Sequence, residues 1–259
     1  MTGASSGIGR EFARLLAEQD YDLVLVARRE ERLTELASEL EAADGTKSLI
    51  VPADLGDADS PERLFAQANE AGVQVQILVN AAGLTPAGRY LDSDWDFHRS
   101  VVQAMALTPM HLCRLFLPGM IERRAGHVIN VSSVGAWYTS TPTQTLYGPS
   151  KAMLLRFTQS LADEYPDSGV SFTTLCPGVT KTEILDVKFN QEAVKGIPEA
   201  LIDSPRKVAE AGWKAAQKNR TVVVTGPTGK SAHMLMRLLP ESVSTKLMAR
   251  QLIGAYDRS

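Results

Sequence analysis

The chain has 259 residues, of which 44% are hydrophobic and 22% charged, and its net charge is −3 at pH 7. These values are typical of a globular protein and fit one α/β domain with a sizeable core. The weak negative charge gives no electrostatic reason to expect nucleic acid or an anionic membrane as a partner. The sequence has no apolar run of about 18 residues and no signal peptide, so we predict no membrane span and a cytoplasmic protein. Cys113, Cys176 and four scattered histidines have neither disulfide nor metal-ligand spacing, and no metal is expected.

Helical and extended patterns alternate along the chain. In chain order they predict a helix at 10–18, a strand at 23–26, a helix at 30–41, strands at 49–51 and 77–79, a helix at 105–121, a strand at 128–131, a helix at 146–165, a strand at 170–175, a helix at 205–217 and a strand at 221–224. Repeated β–α units of this kind favour an open parallel sheet with helices on both faces. Without an internal repeat or a linker, the whole chain, 1–259, is predicted to be a single domain.

A glycine-rich turn, residues 2–9, opens the first helix. Gly3, Gly7 and Gly9 permit a tight turn, and the free N–H groups at the helix N-terminus suit a pyrophosphate. The spacing Gly-x-x-x-Gly-x-Gly is a variant of the dinucleotide fingerprint; the alternative is a glycine-rich turn without a ligand. Such a fingerprint normally follows a strand, which is central in this type of sheet, and here only Met1 precedes it. We therefore expect that the sequence is truncated or its start misplaced; the alternative is a variant that manages without that strand.

Tyr147 and Lys151 are four residues apart on a predicted helix and therefore share a face. A nearby cation favours the phenolate and lowers the pKa of Tyr from its ordinary value of about 10. Such a tyrosine can exchange a proton with an alcohol or carbonyl oxygen, and the hydroxyl of Ser133 can hydrogen-bond the same oxygen. Alone, the pair is weak evidence, because Tyr-x-x-x-Lys also occurs on helices by chance.

Together these features resemble the short-chain dehydrogenase/reductase family, whose members bind a nicotinamide cofactor in a single domain. The resemblance covers almost the whole chain and implies a Rossmann-like, doubly wound parallel sheet. It is carried by Thr2 to Gly9, Asp54 with Leu55, Asn80 to Gly83, Ser133, Tyr147 with Lys151, Pro177 with Gly178, and Thr182. These motifs occur in the family's order and near its usual spacing, and they are specific only as a set.

The resemblance implies a role for each of these residues. The residues implied to bind the cofactor are Gly3, Ser5, Ser6, Gly7 and Ile8 at the phosphates and ribose, Asp54 and Leu55 at the adenine, Asn80, Ala81 and Gly83 at the ribose side of the cleft, and Pro177, Gly178 and Thr182 at the carboxamide. Tyr147 would transfer the proton, Lys151 would bind the ribose hydroxyls and lower the pKa of Tyr147, and Ser133 would orient the substrate. Without the family context, Asn80 is equally a strand-end turn residue and Asp54 a helix or turn cap.

The end of the strand at 23–26 indicates which cofactor binds. NAD binders of this fold often carry an acidic residue there, where this chain has Ala27 followed by Arg28. A guanidinium binds a 2′-phosphate in bidentate fashion, so we predict NADP(H) in preference to NAD(H). The alternative is that Arg28 and Arg29 merely begin a solvated helix.

The chain departs from the family pattern at Met105, where the family usually has an Asn that helps to hold a water in the proton relay. A thioether cannot donate a hydrogen bond, so the relay is either rerouted, through Gln103 or through backbone and water, or impaired. Ser133 also lies one residue further from Tyr147 than is common.

The sequence therefore predicts an NADP(H)-dependent oxidoreductase that transfers a hydride between nicotinamide and a carbonyl or alcohol. The alternative is a non-catalytic NADP(H)-binding sensor or assembly protein of the same fold. We expect 183–204 to form a substrate lid, 230–259 to form a C-terminal helical tail, and the chain to be a homodimer or homotetramer. The residues expected to border the substrate pocket, and to favour an apolar substrate, are Leu84, Val134, Trp137, Tyr138, Leu185 and Phe189.

Overall fold

Parallel strands form the centre of the molecule in a computed structural model that describes residues 1–84 and 86–259. The strands are β1 (Leu23–Ala27), β2 (Ser48–Pro52), β3 (Ile77–Asn80), β4 (Gly126–Val131), β5 (Val170–Cys176) and β6 (Val222–Val224). Strand β1 pairs with β2, while β3, β4, β5 and β6 pair in that order, and every pair is parallel. Strand β5 is buried along its whole length, as expected for a strand that helices cover on both faces.

Helices connect the strands. They are α1 (Gly7–Ala17), α2 (Glu30–Asp44), α3 (Ser60–Glu70), α4 (Trp95–Val102), α5 (Thr108–Glu122), α6 (Tyr147–Glu164), α7 (Lys188–Ala193), α8 (Pro205–Gln217), α9 (Pro227–Leu238) and α10 (Glu241–Tyr256). A π-helical turn, Gln103–Leu107, joins α4 to α5. The resulting helical stretch, Trp95–Glu122, is long and apolar enough to cross a membrane, but more than half of its most apolar part is buried, as in a core helix.

Thr2 lies between β1 and β3 and connects the two parts of the sheet. It forms a parallel bridge to Val26 on one side and to Asn80 on the other. The N–H of Thr2 donates to the carbonyl of Val79 at 2.9 Å, and the N–H of Val26 donates to the carbonyl of Met1 at 3.0 Å. These bonds satisfy some of the backbone groups that a strand ahead of the glycine-rich turn would pair.

Apolar side chains fill both faces of the sheet. On one face, Phe12 of α1 and Leu36 of α2 are fully buried. On the other face, Leu112 and Met120 of α5 are fully buried. Because helices cover both faces, the carboxyl ends of the strands remain the place where a doubly wound sheet binds its ligand.

Candidate active site

A cavity of about 620 Å³ runs along the carboxyl ends of the strands. Its walls come from the glycine-rich turn, from the ends of β1, β3, β4 and β5, and from the start of the predicted lid. The predicted site residues that line it are Gly3, Ser5, Ser6, Gly7, Ile8, Arg28, Asp54, Leu55, Ala81, Gly83, Ser133, Tyr147, Lys151, Pro177, Gly178 and Thr182. Residues that are far apart in the sequence thus meet around a single cavity.

The glycine-rich turn forms a cradle at one end of this cavity. Gly3 and Gly7 adopt φ angles of +70° and +54°, which glycine tolerates without steric cost. Gly9 packs directly on the backbone of Gly3, so a Cβ at position 9 would overlap the carbonyl oxygen of Gly3. No side chain of the described residues caps the N-terminus of α1 at Ser6, so its first N–H groups are available to an anion. This arrangement fits the pyrophosphate of a dinucleotide.

Gly9→Ala is expected to lower the free energy of unfolding by about 3 kcal/mol, because the added Cβ must displace backbone rather than a flexible side chain. The same change should weaken cofactor binding, since the turn and the start of α1 would move apart. Urea unfolding and a cofactor titration measure the two effects. Gly254→Ala, in α10, is the matched control, because its Cβ would meet only the end of the Arg258 side chain. If both variants unfold at the same urea concentration, the close approach at Gly9 is not required.

Tyr147, Lys151 and Ser133 line the same cavity. Tyr147 begins α6, and the Nζ of Lys151, one turn later, lies 6.0 Å from the centroid of the Tyr147 ring. A Cβ placed on Gly135 would lie 3.4 Å from the Oγ of Ser133 and 3.5 Å from the Cε1 of Tyr147, so both side chains surround this glycine. The Oγ of Ser133 accepts a hydrogen bond from the N–H of Gly135 at 3.0 Å, which fixes its position.

The protonation states of this cluster differ from the sequence-based prediction. Burial raises the pKa of Tyr147, and the hydroxyl of Ser133 opposes that effect only in part. Burial also lowers the pKa of Lys151 to about 8. The ammonium donates to the carbonyl of Val131 at 2.9 Å rather than to the phenol, so it does not offset the burial of Tyr147. At neutral pH the site therefore holds a protonated phenol and a protonated lysine.

Met105 lies in the π-helical turn and is fully buried. It provides no hydrogen-bond donor at the position where the family usually has an Asn. The Nε2 of Gln103 donates to the Oγ1 of Thr108 at 3.1 Å, and that hydroxyl donates to the carbonyl of Leu55 at 2.9 Å. Gln103 is therefore engaged away from the Tyr147 cluster, which gives no support to a relay through its amide.

Asn80 is the one predicted cofactor-binding residue whose side chain does not line the cavity. It is 2% exposed, and its amide donates to the Oδ1 of Asn130 at 2.8 Å. The amide of Asn130 in turn donates to the Oγ1 of Thr158 at 2.8 Å. Asn80 therefore joins β3 to β4 and α6 inside the core, because its side chain lies beside Cys113 on the face of the sheet that α5 covers.

Four of the six residues expected to border the substrate pocket line the cavity. Leu84, Val134, Tyr138 and Leu185 line the cavity. Trp137 instead packs edge-on against His233, with ring centroids 4.3 Å apart. Phe189 is buried against Leu252 and Ala255 of α10, which anchors α7 to the C-terminal helix. Glu183 and Ile184 also line the cavity. The sequence analysis did not single them out, because the segment after Thr182 carries no motif.

Comparison with known proteins identifies the family. A family model described as short chain dehydrogenase matches residues 1–193. The chain belongs to the short-chain dehydrogenase/reductase family. The oxidoreductase UcpA of Salmonella typhimurium is 32% identical over 265 residues, which cover 94% of this chain and 95% of the relative. The ketoacyl reductase HetN of Nostoc sp. is 30% identical, over 91% of this chain and 81% of the relative. A short chain dehydrogenase of Pseudocercospora fijiensis is 38% identical, over 71% of this chain and 60% of the relative.

Solved structures of this family have the same fold. A structure that concerns the stereoselectivity of 7β-hydroxysteroid dehydrogenase superimposes with a TM-score of 0.86 at 25% identity, over 96% of this chain and 95% of that one. A short-chain dehydrogenase from Sphingobium yanoikuyae in complex with NADPH superimposes with a TM-score of 0.77 at 25% identity, over 96% and 94%. The predicted Rossmann-like fold is confirmed, and this member of the family is an NAD(P)-dependent dehydrogenase or reductase.

Proposed function

We propose that the protein is an NADP(H)-dependent oxidoreductase that interconverts a carbonyl and an alcohol, with Tyr147 as the general acid/base. The observation that carries the proposal is that Tyr147, Lys151 and Ser133 line the same cavity as the glycine-rich cradle. A proton donor and a pyrophosphate cradle in one cavity are what hydride transfer from a bound dinucleotide needs.

Tyr147, Ser133 and Lys151 each have a separate role in the proposed reaction. The cofactor, when bound, supplies or accepts the hydride at the substrate carbon. In reduction, Tyr147 gives its phenolic proton to the substrate oxygen, and in oxidation the phenolate takes the proton back. The hydroxyl of Ser133 hydrogen-bonds the same oxygen as negative charge develops on it. Lys151, whose ammonium lies 6.0 Å from the centroid of the Tyr147 ring, would bind the ribose hydroxyls of the cofactor, as the family resemblance implies.

The preference for NADP(H) rests on Arg28. Its side chain is exposed, lines the cavity and follows Ala27 at the end of β1. Among the described residues it forms no ion pair, whereas the neighbouring Arg29 pairs with Glu183. A guanidinium without a partner at this position suits the 2′-phosphate of NADP(H). The relative from Sphingobium yanoikuyae, solved with NADPH, supports this preference.

Arg28→Ala is expected to weaken NADPH binding about tenfold, because a charge-assisted hydrogen bond to the phosphate is lost. NADH, which has only a hydroxyl at the 2′ position, should bind both proteins equally. Fluorescence titrations with the two cofactors measure this difference. Arg99→Ala removes a guanidinium from α4 that pairs with Asp96 instead, and it controls for the change in net charge. Equal loss of NADPH and NADH affinity, or no loss at all, would contradict the assignment.

The substrate that fits best is apolar. Leu84, Val134, Ile184 and Leu185 line the cavity near the Tyr147 cluster and offer no charge to a substrate. Because one structural relative was studied as a 7β-hydroxysteroid dehydrogenase, bulky secondary alcohols and their ketones are the first class of substrates to assay. The exposed side chains of Leu107, in the π-helical turn, and Met153, on α6, lie where we expect a homodimer or homotetramer to form.

A non-catalytic NADP(H)-binding protein is the second candidate, and the buried thioether of Met105 favours it. Such a protein would bind the cofactor and respond to it without turnover. It would therefore keep its function when the phenol of Tyr147 is removed, whereas an enzyme would lose it.

A further inference from the structure

The lid and the start of α2 are joined across the cofactor cavity by a single carboxylate. The Oε2 of Glu183 lies 3.0 Å from the Nη1 of Arg29, and the Oε1 of Glu183 contacts the Nη1 of Arg32. The Nη2 of Arg29 also donates to the Oγ of Ser5, at 3.1 Å, in the glycine-rich turn. Glu183 follows directly after Thr182, whose methyl group lies next to Gly7. The ion pair therefore spans the cavity beside the cradle.

We propose that Glu183 competes with the cofactor's 2′-phosphate for Arg29 and thereby weakens the preference for NADP(H) over NAD(H) that Arg28 provides. The inference rests on the proposed function, since it concerns the same cofactor site. Arg29, like Arg28, follows Ala27 at the end of β1, and Ser5, Arg28, Arg29 and Glu183 all line the cavity.

The chemistry of the two anions makes the competition direct. Arg29 gives its Nη1 to Glu183 and its Nη2 to Ser5, so a 2′-phosphate that binds this guanidinium in bidentate fashion must displace at least one of these partners. A 2′-phosphate that reaches Arg29 also meets the negative charge of Glu183, and like charges at such distances repel. The neutral 2′-hydroxyl of NAD(H) brings no such repulsion. Glu183 should therefore oppose NADP(H) and leave NAD(H) unaffected.

The charge state of Glu183 supports this competition at neutral pH. Burial acts to raise its pKa, but the guanidiniums of Arg32 and Arg29 outweigh burial and hold the pKa below its ordinary value. The carboxylate is thus ionised when the cofactor arrives. Its side chain is 47% exposed, so water and salt screen the effect, and we expect a moderate rather than a large preference.

The ion pair also links cofactor binding to the lid. Glu183 begins a short 3₁₀ helix, Glu183–Asp186, that leads into α7. Phe189, in the first turn of α7, packs against α10, so the ion pair ties only the short helix that precedes α7. When a 2′-phosphate takes over Arg29, Glu183 keeps only its contact with Arg32, while α7 stays anchored.

Glu183→Gln tests the inference, with Asp186→Asn as the control. Asp186 lies in the same 3₁₀ helix, and no ion pair of its carboxylate is found among the described residues. We expect Glu183→Gln to bind NADPH about threefold to tenfold more tightly than wild type, with NADH binding unchanged. Asp186→Asn should match wild type with both cofactors. The advantage of Glu183→Gln should shrink at high salt, since screening weakens the repulsion it removes.

Competition by 2′,5′-ADP (adenosine 2′,5′-bisphosphate) and by 5′-AMP isolates the phosphate, since the two ligands differ only in the 2′ group. The variant should gain affinity for 2′,5′-ADP alone. Equal NADPH affinity in wild type and Glu183→Gln, or an equal gain for NADPH and NADH, overturns the inference while leaving the proposed function intact. Wild-type protein that binds neither cofactor overturns the proposed function, and this inference with it. Thermal unfolding of all three proteins checks that each is folded.

Discussion

Replacing Tyr147 with Phe is expected to lower turnover about a hundredfold to ten-thousandfold, with little change in the affinity for NADPH. The variant keeps the ring beside Gly135 but removes the one atom of this side chain that holds a transferable proton. The raised pKa of Tyr147 keeps its phenol protonated at neutral pH, and this is the form that carbonyl reduction consumes. Initial rates of NADPH oxidation with a ketone substrate measure the loss, and a fluorescence titration measures the affinity.

Tyr138→Phe is the matched control for this variant. Tyr138 also lines the cavity and presents a buried phenol, but it is not followed one helical turn later by a lysine, as Tyr147 is by Lys151. Its variant should keep most of the wild-type turnover. Full turnover in Tyr147→Phe, or an equal loss in Tyr138→Phe, would remove Tyr147 from the mechanism. Cofactor-dependent function that survives in Tyr147→Phe would instead support the non-catalytic sensor.

The sequence predicts the sheet well because parallel strands covered on both faces are rich in apolar and β-branched residues. Strand β5 spans Val170–Cys176, against a predicted 170–175, and each of its residues is buried. The short helix α3 was not predicted. Leu64 and Ala68 are buried four residues apart, which fits a helical period, and Phe65 packs against Phe116. Its pattern is shorter than the longer stripes of the predicted helices, and length is what separates a helix from a short apolar run.

The long helix that was predicted to begin at Met105 begins at Trp95 and passes through the π-helical turn. A π turn adds one residue to a helical turn, which breaks the 3.6-residue period that the prediction uses. The same turn buries Met105 and directs Gln103 towards Thr108. Local backbone geometry, which the residue pattern does not reveal, thus decides which side chains reach the site.

The motif residues of the site were predictable because each motif has a fixed place in this fold, at the carboxyl end of a strand or the start of a helix. Contacts that arise only from tertiary packing could not be predicted from the sequence. The pair of Arg29 with Glu183 joins positions 154 residues apart and has no spacing signature. Asn80 shows the converse: its motif was visible, but the side chain points into the core, where it pairs with Asn130.

Lys151→Met is expected to abolish turnover and to change how stability depends on pH. In wild type, burial lowers the pKa of Lys151 from 10.5 to about 8. Below about pH 8 the lysine is charged in both the folded and the unfolded state, so the cost of burying the ammonium is fully present. Between about pH 8 and 10.5 the lysine is mostly neutral in the folded protein but still charged in the unfolded protein. The free energy of unfolding therefore rises with pH over this range.

Methionine has no titrating group, so the free energy of unfolding of Lys151→Met does not show this rise with pH. The shift in the pKa of Lys151 corresponds to a burial cost of about 3 kcal/mol, which the variant avoids. The variant also loses the hydrogen bond from Lys151 to Val131, and this loss offsets about 1 kcal/mol of the gain in stability. The variant should therefore be more stable than wild type at about pH 7, and the advantage should disappear by about pH 10. Urea unfolding of both proteins at each pH measures the difference, in which the titration of other groups largely cancels. Lys214→Met, on the exposed face of α8, should show no such change with pH. If the difference in the free energy of unfolding between Lys151→Met and wild type stays constant with pH, burying the ammonium costs no free energy. Lys151 would then not be a desolvated cation beside Tyr147.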